Sequence, residues 1–254
     1  MGIIYEKGDR IACITLNRPE RRNALDPETL IALEEACQDF NADPESWVLI
    51  VTGAGDKAFC SGADLETLIP AMTSGAMKME LSAKRFFSDI YKPIIAAING
   101  YCLAGGTEMI QGTDIRVAAE HATFGLAEPR WGLAPIGGSH VRLPRQIPWC
   151  RAMEILLIGD RMSAQEALQV GLINRVVPLE QLMPTARAIA ERICENGPLA
   201  VQTIKEIAVR AVSMPMEQGF VLETLMGQRV FASEDAREGP RAFLEKRKPV
   251  FKGQ

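Results

Sequence analysis

The sequence predicts an α/β fold in which buried strands alternate with helices. Two short, wholly apolar runs, residues 47–51 and 94–98, lead into glycine-containing loops and are typical of strands buried on both faces. Before the first run, Asp26 and Pro27 combine an N-cap acid with a first-turn proline, which predicts a helix start. Alternation of this kind favours largely parallel strand pairing.

The first half of the chain is expected to form its elements in a simple order. Apolar residues recur at helical spacing from Leu30 to Phe40, which supports the helix that starts at Asp26. The other elements expected up to residue 118 are strands over 3–5 and 11–16 around a turn at 7–9, a strand over 47–51, a glycine-rich loop over 54–65, a helix over 81–90, a strand over 93–98, a helix over 105–111 and a strand over 115–118.

Beyond Pro144 the pattern becomes mainly helical. Ser163 and Glu166 have the spacing of a capping box. We expect helices over 149–157, 163–170, 180–194, 199–212, 216–231 and 234–247, with one strand over 173–177. A boundary near Gly197 divides a core of residues 1–196 from a helical region of residues 197–254. The apolar faces of that region have to be covered by the core or by another subunit.

The composition narrows the class of protein. With 47% apolar and 24% charged residues the chain is typical of a globular protein, and a formal charge of -4 argues against a general nucleic-acid binder. No apolar run reaches the roughly 18 to 20 residues of a membrane span. The first ten residues resemble neither a signal nor a transit peptide, so a cytoplasmic location is expected. Six scattered cysteines fit reduced, mostly buried thiols, and a His/Cys metal site is not expected.

Two glycine-containing loops follow the apolar strands. One contains Gly62, Ala63 and Asp64, and the other leads through Gly105 into a helix. Neighbouring parallel strands bring such loops to one sheet edge, where ligands usually bind, so we expect the amides of Ala63 and Gly105 to converge on one oxygen. Each such donor can stabilise an oxyanion by about 3 kcal/mol. The alternative is that both loops are ordinary tight turns.

Two glutamates accompany these loops. Glu108 lies in the first turn of the helix that starts at Gly105, and Glu128 follows another loop. We expect the helix N-terminus to favour the ionised form of Glu108. Carboxyl groups beside an oxyanion site suggest acid–base chemistry on a carbonyl compound. The alternative for each acid is a solvated surface carboxylate.

Five spaced motifs resemble those of the crotonase (enoyl-CoA hydratase/isomerase) superfamily over essentially the full length of the chain. They are LNRP with NAL at 16–25, FCSGADL at 59–65, NGYCLAGGTE at 99–108 with Asp114, FGLAE at 124–128 and FLEKRK at 243–248. The resemblance implies a spiral of repeated β-β-α units and a C-terminal helical region that drives trimer formation, with two trimers commonly stacked into a hexamer. It is more specific for the family than for the substrate.

The resemblance also implies an acyl thioester of coenzyme A as substrate, with no metal and no redox cofactor. On that pattern Ala63 and Gly105 hold the thioester oxygen, and Glu108 and Glu128 stand where the hydratases have their two catalytic glutamates. Because the helix N-terminus is expected to favour an ionised Glu108, we expect Glu108 to activate water and Glu128 to give a proton to the α-carbon. Retention of both acids favours an enoyl-CoA hydratase. The alternatives are an enoyl-CoA isomerase, a specialised acyl-CoA dehydratase, or a non-catalytic binding protein built on the same fold.

By the same resemblance, coenzyme A contacts two segments of one subunit and the C-terminal end of a neighbouring one. Arginines in the first segment suit its phosphates. The contact residues implied are Arg22, Ala24, Asp64, Leu65 and, from the neighbour, Phe243 and Lys246. An alternative for the basic residues around Lys246 is a solvated helix end.

Some features depart from the family pattern or leave their role open. Ala104 stands where many members have glycine, and we expect this to change little. Trp131 belongs to an unusual stretch, EPRW, and is expected to narrow the acyl pocket. The segment that contains Met72, Met77 and Met79 forms either a lid over the acyl group or ordinary helix packing.

Overall fold

A computed structural model describes residues 2–76 and 84–254 of the chain. Its strands in that part are β1 (Ile3–Gly8), β2 (Ile11–Leu16), β3 (Val48–Gly53), β4 (Ala58–Cys60), β5 (Ile94–Ile98), β6 (Tyr101–Leu103), β7 (Ile115–Ala119), β8 (Thr123–Gly125), β9 (Met162–Ser163) and β10 (Arg175–Val177). Its α-helices there are α1 (Pro27–Ala42), α2 (Leu68–Thr73), α3 (Gly105–Ile110), α4 (Ser139–Gln146), α5 (Trp149–Ile158), α6 (Ala164–Gln169), α7 (Leu179–Cys194), α8 (Pro198–Ala211), α9 (Met216–Phe231) and α10 (Glu234–Leu244).

The strands form two sheets, and strands of one sheet alternate along the sequence with strands of the other. The larger sheet has the order β1-β2-β3-β5-β7-β10 and the smaller one β4-β6-β8-β9. The pairs β3/β4, β5/β6 and β7/β8 each give one strand to each sheet, and α2, α3 and a 3-10 turn follow them in order. Pairing is parallel between β2, β3, β5 and β7. The structure therefore confirms the predicted α/β fold of repeated β-β-α units.

The larger sheet is covered on both faces, which explains the wholly apolar runs in its central strands. One hydrophobic cluster contains Phe40 from α1, Phe59 from β4 and Phe124 from β8. A second cluster lies on the opposite face, where α7 contributes Leu182 and Ala186. With no solvated face, β3 and β5 need no alternating polar residues.

Most predicted elements are present, with bounds shifted by a few residues. The predicted N-cap at Asp26 accepts a hydrogen bond from the Thr29 N–H at 2.8 Å, and the capping box of Ser163 and Glu166 is formed. The short strand β4 lies in the segment expected to be a glycine-rich loop, and the short strands β6 and β8 were not predicted. Helix α4 was not predicted either, whereas α2 contains Met72, for whose segment helix packing was one of two alternatives. The six cysteines are free, and four of them are buried, as expected.

The predicted helix over 81–90 is wrong in the part that the structure describes. Residues 86–89 form a turn, and residues 84, 85 and 90 have no regular secondary structure. Phe87 has a positive φ of 61°, and the Arg85 N–H donates to Ser88 Oγ at 2.6 Å. Both features favour a turn over a helix. Residues 77–83, with Met77 and Met79, lie outside the described residues.

The C-terminal helices are tied to the core at a partly exposed ion pair. Lys205 Nζ on α8 lies 2.7 Å from Asp114 Oδ2 and donates to the Lys92 carbonyl at 2.9 Å. Large apolar side chains on these helices stay exposed in the single chain, including Ile204, Phe220, Val221, Leu225, Phe231 and Phe243. Their coverage by another subunit remains a prediction. Among residues 2–76 and 84–254, no helix combines the length and the apolar character needed to cross a membrane.

Candidate active site

The loop after β4 leaves one backbone amide available. A parallel bridge joins Leu25 to Ala63: the Leu25 N–H donates to the Gly62 carbonyl, and the Asp64 N–H donates to the Leu25 carbonyl, both at 2.8 Å. These bonds do not use the N–H of Ala63 itself. Gly62 has a φ of +100°, which glycine adopts without strain.

A second amide stands beside the first. Gly105 is the first residue of α3, where N–H groups have no partner inside the helix. A Cβ atom added to Gly62 would lie 3.2 Å from the Gly105 nitrogen, and one added to Gly105 would lie 3.7 Å from the Ala63 nitrogen. The fold thus brings together the two amides that the sequence predicted as an oxyanion site.

Ala104 holds the second amide in place in a strained conformation. Its φ and ψ are 49° and -123°, a region that favours glycine. Such strain costs on the order of 1–3 kcal/mol, whereas the extra freedom of an unfolded glycine costs about 0.5–1 kcal/mol. The presence of alanine instead of glycine at position 104 therefore affects stability more than the sequence suggested.

We predict that Ala104→Gly stabilises the protein by about 1 kcal/mol, the difference between those two costs. In a chain of this size, that gain raises the melting temperature by about 2–4 °C. Thermal unfolding followed by circular dichroism measures it. The matched control is Ala188→Gly, an exposed position inside α7, where glycine should cost about 1 kcal/mol. Equal destabilisation by both substitutions would contradict the assignment of strain.

Glu108 is buried on α3 and is held by the start of α4. Its Oε1 atom accepts a hydrogen bond from the Ser139 N–H at 3.3 Å. Its Oε2 atom lies against Gly137, because a Cβ added there would be 2.7 Å from it. Burial raises the pKa of Glu108, and it is opposed by backbone hydrogen bonds from Ser139 and Gly137 and by the charge of His140.

This differs from the expectation that the helix containing Glu108 would favour its charge. The dominant effect on the carboxyl is desolvation, which disfavours the ionised form. The helix N-terminus that contacts the carboxylate is the one of α4, through Ser139, and not the one of α3. Glu108 nevertheless has donors that favour its charged state.

Glu128 has a different environment. It opens the 3-10 turn Glu128–Trp131, and its Oε2 atom is buried without a hydrogen-bond partner among the described residues. Burial and, to a smaller extent, the charge of Glu108 together raise its pKa to about 7, against a backbone hydrogen bond that lowers it. The two carboxyl groups therefore interact and have unlike surroundings, since the backbone of Ser139 and Gly137 donates to Glu108, whereas Glu128 Oε2 has no partner among the described residues. Neither acid is a solvated surface carboxylate.

The two segments predicted to contact coenzyme A lie side by side. The Ser61 N–H donates to the Arg22 carbonyl at 3.1 Å. Arg18, one of the arginines expected to suit the phosphates, joins both segments: Nη1 donates to the Ala24 carbonyl at 2.7 Å and lies 3.0 Å from Asp64 Oδ2. The carboxylate of Asp64 thus stabilises the contact between the two segments through its ion pair with Arg18.

The remaining predicted site residues are exposed in the single chain. The exposed fraction is 71% for Leu65, 74% for Trp131 and 83% for Phe243. In the described residues, no hydrogen bond or ion pair joins Phe243 or Lys246 to the loop over 18–24. Their place over the nucleotide of a neighbouring subunit, and that of Trp131 in an acyl pocket, remain predictions.

Sequence reasoning missed the residues that surround Glu108. Ser139, His140 and Arg142 all belong to α4, which was not predicted. The signal available in the sequence is the pair Gly137-Gly138 directly before Ser139. A helix start after two glycines is a site where backbone N–H groups meet an anion.

Repeated β-β-α units that bring two amides together and place two interacting carboxyl groups beside them are the arrangement that the resemblance to the crotonase superfamily implies. A model of the enoyl-CoA hydratase/isomerase family matches residues 6–254. The chain is 42% identical to enoyl-CoA hydratase EchA19 of Mycobacterium tuberculosis, over 99% of this chain and 96% of that protein. It is 41% identical to carnitinyl-CoA dehydratase of Salmonella enteritidis, over 95% of this chain and 94% of that protein.

A solved structure of an enoyl-CoA hydratase from Bacillus anthracis has a TM-score of 0.92 and 36% identity, with 100% of each chain covered. The chain therefore belongs to the enoyl-CoA hydratase/isomerase family, and the resemblance identified from its motifs is confirmed.

Proposed function

We propose that the chain is an enoyl-CoA hydratase, which adds water reversibly and in syn geometry to a 2-enoyl-CoA and gives a 3-hydroxyacyl-CoA. The observation that carries this proposal is the pair of interacting carboxyl groups with unlike surroundings. Glu128 is half-buried and its Oε2 atom has no partner among the described residues, whereas Glu108 accepts a hydrogen bond from Ser139. One proton on the pair then resides on Glu128.

The amides of Ala63 and Gly105 hold the thioester carbonyl oxygen. Addition at C3 makes this oxygen enolate-like, and donors fixed in advance stabilise the negative charge. Glu108 takes a proton from the attacking water as its oxygen bonds to C3. Glu128 gives its proton to C2, and the reverse steps carry out dehydration.

Coenzyme A is proposed to lie along Arg22, Ala24 and the loop of Asp64 and Leu65. The direct contacts between these two segments support a continuous binding surface. Phe243 and Lys246 of a neighbouring subunit would close it in a homotrimer or a hexamer. The chemistry requires no metal or redox cofactor, since the two acids and two amides supply every proton and charge contact. A cytoplasmic location stays a prediction.

A specialised dehydratase of the same family is the second candidate. The observation that favours it is the 41% identity to a protein named carnitinyl-CoA dehydratase. Its reaction is the reverse of a hydration, so it would use the same four groups on a different acyl chain. An isomerase is less well supported, because members that only isomerise usually retain the acid at the Glu128 position alone.

The absorbance of the conjugated thioester tests the proposal. Crotonyl-CoA and longer or branched 2-enoyl-CoA analogues should lose this absorbance, and the product should be the 3-hydroxyacyl-CoA by mass. A 3-enoyl-CoA that gains the absorbance would instead support an isomerase. No reaction with any analogue would support a binding protein and overturn the proposal.

A further inference from the structure

The guanidinium of Arg142 belongs to the surroundings of Glu108 but has no part in the proposed hydration steps. Arg142 on α4 donates through Nη2 to the Phe86 carbonyl at 2.9 Å and to Ser88 Oγ at 3.2 Å. Its Nη1 atom is buried and has no hydrogen-bond partner among the described residues. A guanidinium remains charged in proteins, and a buried donor without a partner is costly. The position of Nη1 therefore calls for an acceptor nearby.

The Nη1 atom and the carboxylate of Glu108 lie on either side of the start of α4, and their charges interact. A Cβ added to Gly112, just after α3, would be 2.7 Å from Nη1. A Cβ added to Gly138 would be 3.7 Å from Nη1, while one added to the adjacent Gly137 would be 2.7 Å from Glu108 Oε2. The guanidinium and the carboxylate thus border the same pair of glycines.

A second buried polar atom belongs to the same cluster. Gln111 is only 2% exposed, and its Oε1 atom has no hydrogen-bond partner among the described residues. Its Nε2 atom donates to Ser139 Oγ at 2.8 Å, and the Ser139 N–H donates to Glu108. Buried donors and acceptors in such an arrangement are commonly joined by one water molecule with about three partners.

We propose that Arg142 is a positioning residue for Glu108, which keeps the carboxylate charged and oriented toward the water that adds to the substrate. This inference rests on the proposed function. Together with Gln111 and Ser139, the guanidinium forms a polar support behind the carboxylate. The acid can then accept a proton without turning away from the substrate.

The charges around the pair agree with this role. Burial lowers the pKa of Arg142, the charge of Glu108 opposes this effect, and the charge of Arg85 adds to it. Glu108 is also faced by His140 from α4, which lowers its pKa, and it interacts with Glu128 from the 3-10 turn. Because an interaction between two charges is reciprocal, removal of the guanidinium should make Glu108 harder to ionise.

The test compares Arg142→Gln and Arg142→Lys with the native chain in hydration assays across pH. For Arg142→Gln we expect kcat to fall about tenfold with little change in KM, because the base is misplaced and less often charged. The acidic limb of its pH profile should shift to higher pH by about one unit. Arg142→Lys should retain the position of that limb, since the charge remains.

A direct titration separates this inference from the proposed function. The infrared band of the Glu108 carboxyl, identified by its loss in Glu108→Gln, is followed across pH in the native chain and in Arg142→Gln. A midpoint raised by about one pH unit supports the role of Arg142 even if no enoyl-CoA is hydrated. Equal midpoints overturn it even if hydration is rapid.

The matched control is Arg145→Gln on the same helix. Arg145 is exposed and donates to the Val141 carbonyl, so its loss should shift neither the limb nor the midpoint. A shift of the same size in both variants would overturn the inference. If Arg142→Gln does not fold, Arg142→Met replaces it, because an unbranched apolar chain fills similar space without charge.

Discussion

Glu128→Gln should reduce the rate of hydration by about a thousandfold while the protein stays folded. Glutamine occupies nearly the same volume but has no acidic proton for the α-carbon. The substituted group is partly buried and not ion-paired in the described structure, so its loss should leave the melting temperature close to that of the native chain. Initial rates with an enoyl-CoA and a thermal scan measure the two effects.

The matched control is Glu120→Gln. Glu120 is exposed in the turn after β7 and belongs to none of the segments of the candidate site, so this variant should retain full activity. Exchange of the α-proton with deuterated solvent gives a second measure, because the same carboxyl transfers that proton. Normal turnover in Glu128→Gln would exclude Glu128 as the proton donor.

The pair of carboxyls also predicts a bell-shaped dependence of kcat/KM on pH. Hydration requires a protonated Glu128, so activity should fall as the pH rises through about 7, where burial places the pKa of this group. It also requires an ionised Glu108, whose raised pKa places the acidic limb above the usual range of glutamate. A flat profile through neutral pH would contradict this assignment.

Hydration and dehydration should share these two limbs. In hydration the single proton of the pair starts on Glu128, and in dehydration it starts on Glu108. Both directions therefore need the same total number of protons on the two carboxyl groups. The two limbs of the pH profile report apparent pKa values of the pair and not of either glutamate alone. Measurement of both directions with one substrate checks this point.

The fold could be predicted where the sequence pattern extends over several turns or a whole strand. The runs that form β3 and β5 are apolar throughout because both faces of the larger sheet are buried. Strands β4, β6 and β8 have three residues each, too few for a period to be visible. They exist because neighbouring strands of the smaller sheet supply their hydrogen bonds.

The candidate site could be predicted in part, because some of its chemistry depends on local sequence. A glycine before a helix start marks an available amide, which identifies Gly105 without knowledge of the fold. The pKa of Glu108 could not be predicted this way, since burial and the contact with Ser139 depend on α4, 31 residues further along the chain. The role of Arg18 depends likewise on the distant Asp64.

Gly105→Ala should separate stability from catalysis at the oxyanion site. A Cβ at this position would lie 3.5 Å from Gly62 Cα and 3.7 Å from the Ala63 nitrogen, which are ordinary contacts. The variant should therefore fold, and alanine in a helix is favoured over glycine by up to about 1 kcal/mol. The added methyl group stands beside the Ala63 amide, where the thioester oxygen has to bind.

We expect Gly105→Ala to lower kcat/KM by about 100-fold, comparable with the loss of one oxyanion donor. Gly106→Ala is the contrasting variant: its Cβ would come 2.4 Å from the Cys60 carbonyl oxygen, so it should lose stability first. Thermal scans and hydration rates of both variants distinguish the two effects. Full activity in Gly105→Ala would mean that the thioester oxygen binds elsewhere, because a methyl group and that oxygen cannot occupy the same space between the two amides.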